Sequence, residues 1–90
     1  MDRLACDRML VAVIERRSLS AAAQKLGVSS GQASKLVSRL EEELGVQLLH
    51  RTTRSVSPTE AGRAYFERIK SLLEEMDELD STIRSASGAP

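Results

Sequence analysis

Gly62, Tyr65, Ile69, Leu72, Met76, Leu79, Ile83 and Ala86 follow one another at alternating steps of three and four residues. That repeat draws one apolar line along an α-helix and is the mark of a heptad seam. Between its members stand Glu67, Arg68, Lys70, Glu74, Glu75, Asp77, Glu78 and Asp80, so the remaining faces are charged. An isolated helix of this kind keeps its seam wet and is poorly held, because helices draw most of their stability from covering an apolar face. The spacing predicts a long helix over 58–86 that requires a partner, with Tyr65, Ile69, Leu72, Met76, Leu79 and Ile83 as its contacts. The polar face is acidic and anionic lipid would repel it, which argues against a membrane-surface helix. A chain of 90 residues has room for one small domain, and surface scaling has such a domain hide only roughly 64% of its unfolded surface. The thin core and the wet seam both point to an oligomer.

The chain in front of this helix is divided by short polar punctuation. Leu4, Met9, Leu10, Val13 and Ile14 keep helical spacing up to Arg16-Arg17, where two cations suit a helix C-terminus. Ser18 is placed to cap a second helix, Leu19 to Leu26, which Gly27 ends. Ser29 restarts the chain as an N-cap with Gln32 at the capping-box position, and Ala33, Leu36, Val37, Leu40 and Leu44 form the stripe of a third helix ended by Gly45. From Val46 to Ser57 the chain turns to β-branched and polar residues and predicts a short hairpin. Ser57-Pro58-Thr59-Glu60 then reads as a helix start, with Ser57 as N-cap, Pro58 in the first helical position and Glu60 completing the box. Ser85 to Pro90 is small and polar, as in a frayed end or linker.

Two short helices joined by a tight glycine turn, with Ala23 small where they cross, describe a helix-turn-helix. Ala22, Leu26, Val28, Ala33 and Leu36 occupy the positions expected to hold the angle between them. A basic hairpin directly after it makes the motif a winged one. The charge distribution agrees. Thirteen basic and thirteen acidic residues cancel over the whole chain, yet residues 1–56 hold nine basic against six acidic groups and residues 57–90 hold four against seven. A basic front joined to an acidic back is the asymmetry of a molecule that meets a polyanion at one end.

Taken in order, Ser18-Leu19-Ser20-Ala21-Ala22-Ala23-Gln24-Lys25-Leu26, Ser34-Lys35-Leu36-Val37-Ser38-Arg39-Leu40-Glu41, Leu44-Gly45-Val46-Gln47-Leu48-Leu49, Arg51-Thr52-Thr53-Arg54 and Thr59-Glu60-Ala61-Gly62 resemble the amino-terminal domain of LysR-type transcriptional regulators. The resemblance spans nearly the whole chain. It implies a mainly α fold: a winged helix-turn-helix of three helices and a short β-hairpin over residues 1–57, a linker and dimerisation helix over 58–86, and at 87–90 the start of a linker. It also implies a homodimer, its linker helices antiparallel, on an interrupted inverted repeat in double-stranded DNA. In such regulators a larger domain senses a small effector and full-length proteins form tetramers. That domain is absent from this sequence, and with Met1 as a natural start the chain is expected to be cut just after the linker helix. The sequence departs from the family pattern in four places: Ser30-Gly31-Gln32 replaces the common first turn of the recognition helix, Arg17 a frequent Gly, Leu19 a frequent Phe, and Leu36 a common Gln, so that Leu36 faces either the second helix or the DNA edge.

A recognition helix aimed into the major groove offers phosphate its free N–H groups and base edges its first turns. Ser29 and Ser30 are placed for that, although Ser29 also serves as a cap. Gly31 permits close approach, and Gln32 either reads adenine or completes the capping box. The resemblance makes Ser34, Lys35 and Ser38 DNA contacts, and a lysine donates well to guanine O6 and N7. At the hairpin tip Arg54 suits a narrow A·T-rich minor groove, with Arg51, Thr52 and Thr53 over phosphates; the alternative for all four is an exposed polar turn, and Arg51 is the one most suited to a structural role. Glu41-Glu42-Glu43 is read as a solvated face, His50 as a surface residue and Cys6 as a small helical residue.

One cysteine and one histidine offer no zinc cage and no nucleophile and base pair, so neither a metal, a cofactor nor an enzyme is expected. No run reaches the ~18 apolar residues of a membrane span, and Met1-Asp2-Arg3-Leu4 lacks the layout of a secretory signal. A cytoplasmic protein is expected. A protein-interaction module built on the same seam is the alternative from a different class.

Overall fold

The structure, a computed structural model, describes residues 2–51, 56–86 and 88. Among them the chain forms α1 (Arg3–Arg16), α2 (Leu19–Leu26), α3 (Ser30–Leu44), β1 (Leu49–Arg51), β2 (Val56–Pro58) and α4 (Glu60–Ala86). This is the winged helix-turn-helix with a long carboxy-terminal helix that the sequence predicts.

The helix ends are local events and fall where the punctuation puts them. Asp2 Oδ1 accepts the Ala5 N–H at 3.1 Å, Ser18 Oγ that of Ala21 at 3.1 Å, and Ser29 Oγ that of Gln32 at 3.1 Å; each satisfies an amide that the first turn leaves unpaired. Gly27 and Gly45 close α2 and α3 at φ 74° and 71°, the left-handed conformation that glycine adopts without steric cost. Arg17 takes the same conformation, φ 55°, one that glycine adopts more readily.

The core is built where the first three helices meet. Cys6, Met9, Leu10 and Val13 of α1 are fully buried against Ala22 and Ala23 of α2 and Ala33, Val37 and Leu40 of α3, with Leu48 and Leu49 closing one side. Alanines at the crossing let the helix axes approach. Leu19 and Leu36 pack half-buried on this core, so Leu36 faces inward rather than toward a groove. Leu26 and Val28 do not hold the angle as expected: they are 39% and 36% exposed, and the buried alanines carry the crossing instead. Burial pushes the Cys6 thiol up, with the neighbouring Asp7 charge adding to it, and keeps it protonated and unreactive.

The start of α4 differs from the sequence expectation. Pro58 lies in β2, whose ladder pairs Leu49 with Pro58, His50 with Ser57 and Arg51 with Val56. Ser57 is therefore a strand residue, and the cap is Thr59, whose Oγ1 accepts the Gly62 N–H at 2.9 Å and donates to the Gln47 carbonyl at 2.7 Å. The helix therefore starts two residues later than local capping signals suggest. The Thr59 N–H reaches the Leu48 carbonyl at 3.0 Å, and a Cβ on Gly62 would collide with that carbonyl. Gly62 is thus a point of close approach within the chain and not a seam contact.

The seam also splits. Its first turns rest on the body: Tyr65 is half-buried, donates to Asp7 Oδ1 at 2.5 Å and accepts from Arg3 Nη2 at 2.9 Å. The residue buried on α1 further along is Leu73, flanked by the pairs Lys70–Glu15 and Arg8–Asp77, both at 3.0 Å. Leu72, Met76, Leu79 and Ile83 lie on the adjacent line and stay 54%, 41%, 59% and 58% exposed. A helix of 27 residues runs about 40 Å, so its end projects beyond the body, consistent with the 49 Å long axis of the molecule.

Two outcomes follow from these contacts. Gly62→Ala is expected to lower the unfolding free energy by about 1–3 kcal/mol, read from the urea midpoint. Burial and the bond to Asp7 raise the Tyr65 phenol above its ordinary value, although the Arg3 bond opposes them. The unfolded phenol ionises first, near pH 10, so this contribution is complete below that pH and disappears as pH rises through the higher folded value. Urea unfolding at about pH 8 and about pH 10.5 should show a smaller alkaline loss of stability in Tyr65→Phe than in the wild type.

Candidate nucleic-acid interface

The outward surface of α3 is set by the stripe on its inner side. With Ala33, Val37 and Leu40 buried, Gly31, Lys35 and Glu42 fall opposite them and are exposed, and Ser34 and Ser38 are half-buried along one edge. Ser29, Ser30 and Gln32 surround the exposed N-terminus of the helix, where unpaired N–H groups and the positive end of the helix dipole suit an anion. The Ser29 half of the capping box forms, while among the described residues the Gln32 side chain makes no hydrogen bond and is left to solvent. Among the described residues nothing demands a glycine at 31, since a Cβ there would meet only Ser29 Oγ at 3.9 Å. Lys35 makes no ion pair among the described residues.

Arg51, expected over phosphate, is engaged within the chain. Its Nη1 donates to Ser34 Oγ at 2.9 Å, and its Nη2 lies 3.4 Å from both Ser38 Oγ and Glu41 Oε1. The guanidinium thus ties β1 to the edge of α3. Thr52, Thr53 and Arg54, the expected tip of the wing, lie outside the described residues.

Glu41 is the residue that the sequence reading missed. Its Oε2 accepts the Leu48 N–H at 2.7 Å and the Leu49 N–H at 3.2 Å, and its side chain is only 16% exposed. It is therefore a bracket between α3 and the hairpin and not part of a solvated acidic face; Glu42 and Glu43 do remain exposed. The spacing shows only that an acceptor on this edge is available. Ser34, Ser38 and Glu41 lie on one helical edge, and the amides entering the hairpin need acceptors once they are buried.

Glu41→Ala is expected to cost about 1–3 kcal/mol, because two amides lose their acceptor. Hydrogen exchange should show the Leu48 and Leu49 amides losing protection beyond that of the α1 core amides; equal loss everywhere would contradict the bracket.

Residues 8–63 match the bacterial regulatory helix-turn-helix proteins of the lysR family. An uncharacterized HTH-type transcriptional regulator of Haemophilus influenzae is 47% identical over 83 residues, covering 92% of this chain and 29% of that protein. An HTH-type transcriptional repressor of Pseudomonas aeruginosa is 42% identical over 90 residues, all of this chain and 28% of the repressor. The chain thus spans under a third of the length of these curated relatives. The crystal structure of the BenM_DBD/catB site 1 DNA complex superposes with a TM-score of 0.90 at 34% identity over 97% of each chain. Fold, helix-turn-helix and sequence agree over most of the molecule, and the chain belongs to the lysR family of bacterial regulatory helix-turn-helix proteins.

Proposed function

We propose that this chain is the operator-binding unit of a transcription regulator and acts as a homodimer on an interrupted palindrome. The exposed outer face of α3, with Lys35 at its centre and the capped N-terminus at its end, carries the reading. That surface sits on the basic front of the chain, and the DNA complex of the structural neighbour supports its use as a recognition helix. Residues 29–44 enter the major groove, where Ser29, Ser30, Gly31, Gln32, Ser34, Lys35 and Ser38 meet base edges and phosphates. The hairpin over 50–55 brings Arg54 to the adjacent minor groove, with Thr52 and Thr53 on the backbone.

The second copy covers α4. Leu72, Met76, Leu79 and Ile83 are exposed along one line, and Ile69 stands half-buried at its inner end. A pair of α4 helices fixes the separation of two recognition helices, which sets the spacing of two half-sites. Tyr65 supports this pairing indirectly, since its hydroxyl is engaged with Asp7 and Arg3 of its own chain. The relatives are transcriptional regulators, and the chain accordingly works by binding and not by catalysis. The working site is cytoplasmic, on chromosomal DNA; among the described residues no helix is long and apolar enough to cross a membrane. In the whole protein, sensing of a small effector and assembly into tetramers belong to regions outside this chain.

Fluorescence anisotropy against A·T-flanked interrupted palindromes and scrambled duplex, at about 50 and about 200 mM salt, tests the reading, with protein mass followed in parallel. A dimer that prefers palindromes and weakens steeply with salt is the expected result. Lys35→Ala should lose about tenfold or more in affinity for the preferred duplex, and Arg54→Ala should lose most on duplexes with A·T-rich flanks, both variants keeping the wild-type melting temperature. A dimer with equal, weak affinity for every duplex would instead mark α4 as the functional part and the chain as a protein-interaction module.

A further inference from the structure

Arginine has five N–H donors and no acceptor, so in each contact between Arg51 and a serine the hydroxyl oxygen accepts. Ser34 and Ser38 both lie on the α3 edge that faces β1, and both receive an N–H from the same guanidinium, at 2.9 and 3.4 Å. Among the described residues neither hydroxyl donates to another group of the protein. A hydroxyl that accepts from a cation keeps its O–H free to donate and becomes a stronger donor through polarisation. The guanidinium is itself oriented by Glu41, whose other oxygen holds the Leu48 and Leu49 amides. The direction of the two hydroxyls is thus coupled to the seating of the hairpin.

We infer that Arg51 is a positioning residue for sequence discrimination: it acts through Ser34 and Ser38, occupying one lone pair of each and so biasing both hydroxyls to donate toward acceptors in the major groove, and is not itself a phosphate contact. The inference rests on the DNA-binding reading and deepens it. Base edges that present acceptors there are purine N7, guanine O6 and thymine O4. A freely rotating serine hydroxyl accepts as readily as it donates and so distinguishes these from cytosine N4 or adenine N6 poorly. The orienting cation converts two indifferent groups into two directional ones.

The test begins by selecting a preferred duplex from a pool with a randomised core between palindromic arms, using the wild-type chain. Affinities for the selected and a scrambled duplex are then measured over a salt series for the wild type, Arg51→Ala, Arg51→Lys, the double variant Ser34→Ala/Ser38→Ala, and that double variant combined with Arg51→Ala. Arg51→Ala should lose about tenfold in the ratio of selected to scrambled affinity, with the scrambled affinity and the salt slope unchanged. The serine double variant should lose a similar factor, and adding Arg51→Ala to it should change the ratio less than about twofold, because residues in one network do not act additively. Arg51→Lys keeps the charge but lacks the planar fork that reaches two hydroxyls and a carboxylate together, and should resemble Arg51→Ala; it carries the test if Arg51→Ala unfolds. A salt slope lowered by about one with equal loss on both duplexes would make Arg51 a phosphate contact and overturn the inference. Losses that multiply between Arg51 and the serines, or wild-type discrimination in Arg51→Lys, would also overturn it, while leaving the DNA-binding reading intact. A wild-type chain that selects no sequence from the pool would overturn that reading itself.

Discussion

The backbone of Leu48 is held from both sides, and the relation between α3, the hairpin and α4 depends on it. On one side Glu41 Oε2 accepts the Leu48 N–H at 2.7 Å; on the other the Leu48 carbonyl accepts the Thr59 N–H at 3.0 Å. Gly62 lets the first turn of α4 close onto the same carbonyl, where any side chain would collide. Glu41 belongs to α3, so one carboxylate and one missing Cβ connect α3 to the base of the hairpin and to the root of α4. Loss of either contact would leave each element intact while freeing its orientation. Orientation is what a dimer requires if two recognition helices are to address two half-sites at a fixed spacing.

The same economy appears on the two sides of α4. A row that includes Leu73 packs on α1, reinforced by the pairs Lys70–Glu15 and Arg8–Asp77. These ion pairs are partly exposed and contribute little to stability by themselves, but they sit on both sides of Leu73 and limit rotation of the helix. The adjacent row of Leu72, Met76, Leu79 and Ile83 is consequently presented outward in one direction. The seam begins against the body at Tyr65 and is exposed from Leu72 onward.

Sequence reasoning succeeded at most of the helix ends, where the cause lay within about four residues, although the Gln32 half of the capping box does not form. Ser18, Gly27, Ser29 and Gly45 cap their helices as expected because a cap involves only a side chain and the first or last turn beside it. It failed at Ser57-Pro58-Thr59, where two hydroxyl residues compete for one cap and the choice is made by pairing of Ser57 with His50. It failed again at Glu41, a charged residue in an acidic run whose partners lie seven and eight residues away, across the turn at Gly45. Of the candidate DNA contacts, those on the outer face of α3 stand where the helical stripe puts them. The intrachain contacts of Arg51 could not be read locally, because its partners are on two turns of a different element.

The order of residues by itself determined the class of molecule: three capped helices, a basic hairpin and a long amphipathic helix, with cations gathered in front and acids behind. These are properties of spacing and composition, fixed by backbone sterics and by the demand that apolar faces be covered. Only the tertiary structure decided which of two neighbouring rows on α4 packs inward, where that helix begins, and that Arg51 and Glu41 hold the hairpin to α3. Such choices turn on the angle at which separate elements meet. Distant groups fix that angle together, and no local pattern encodes it.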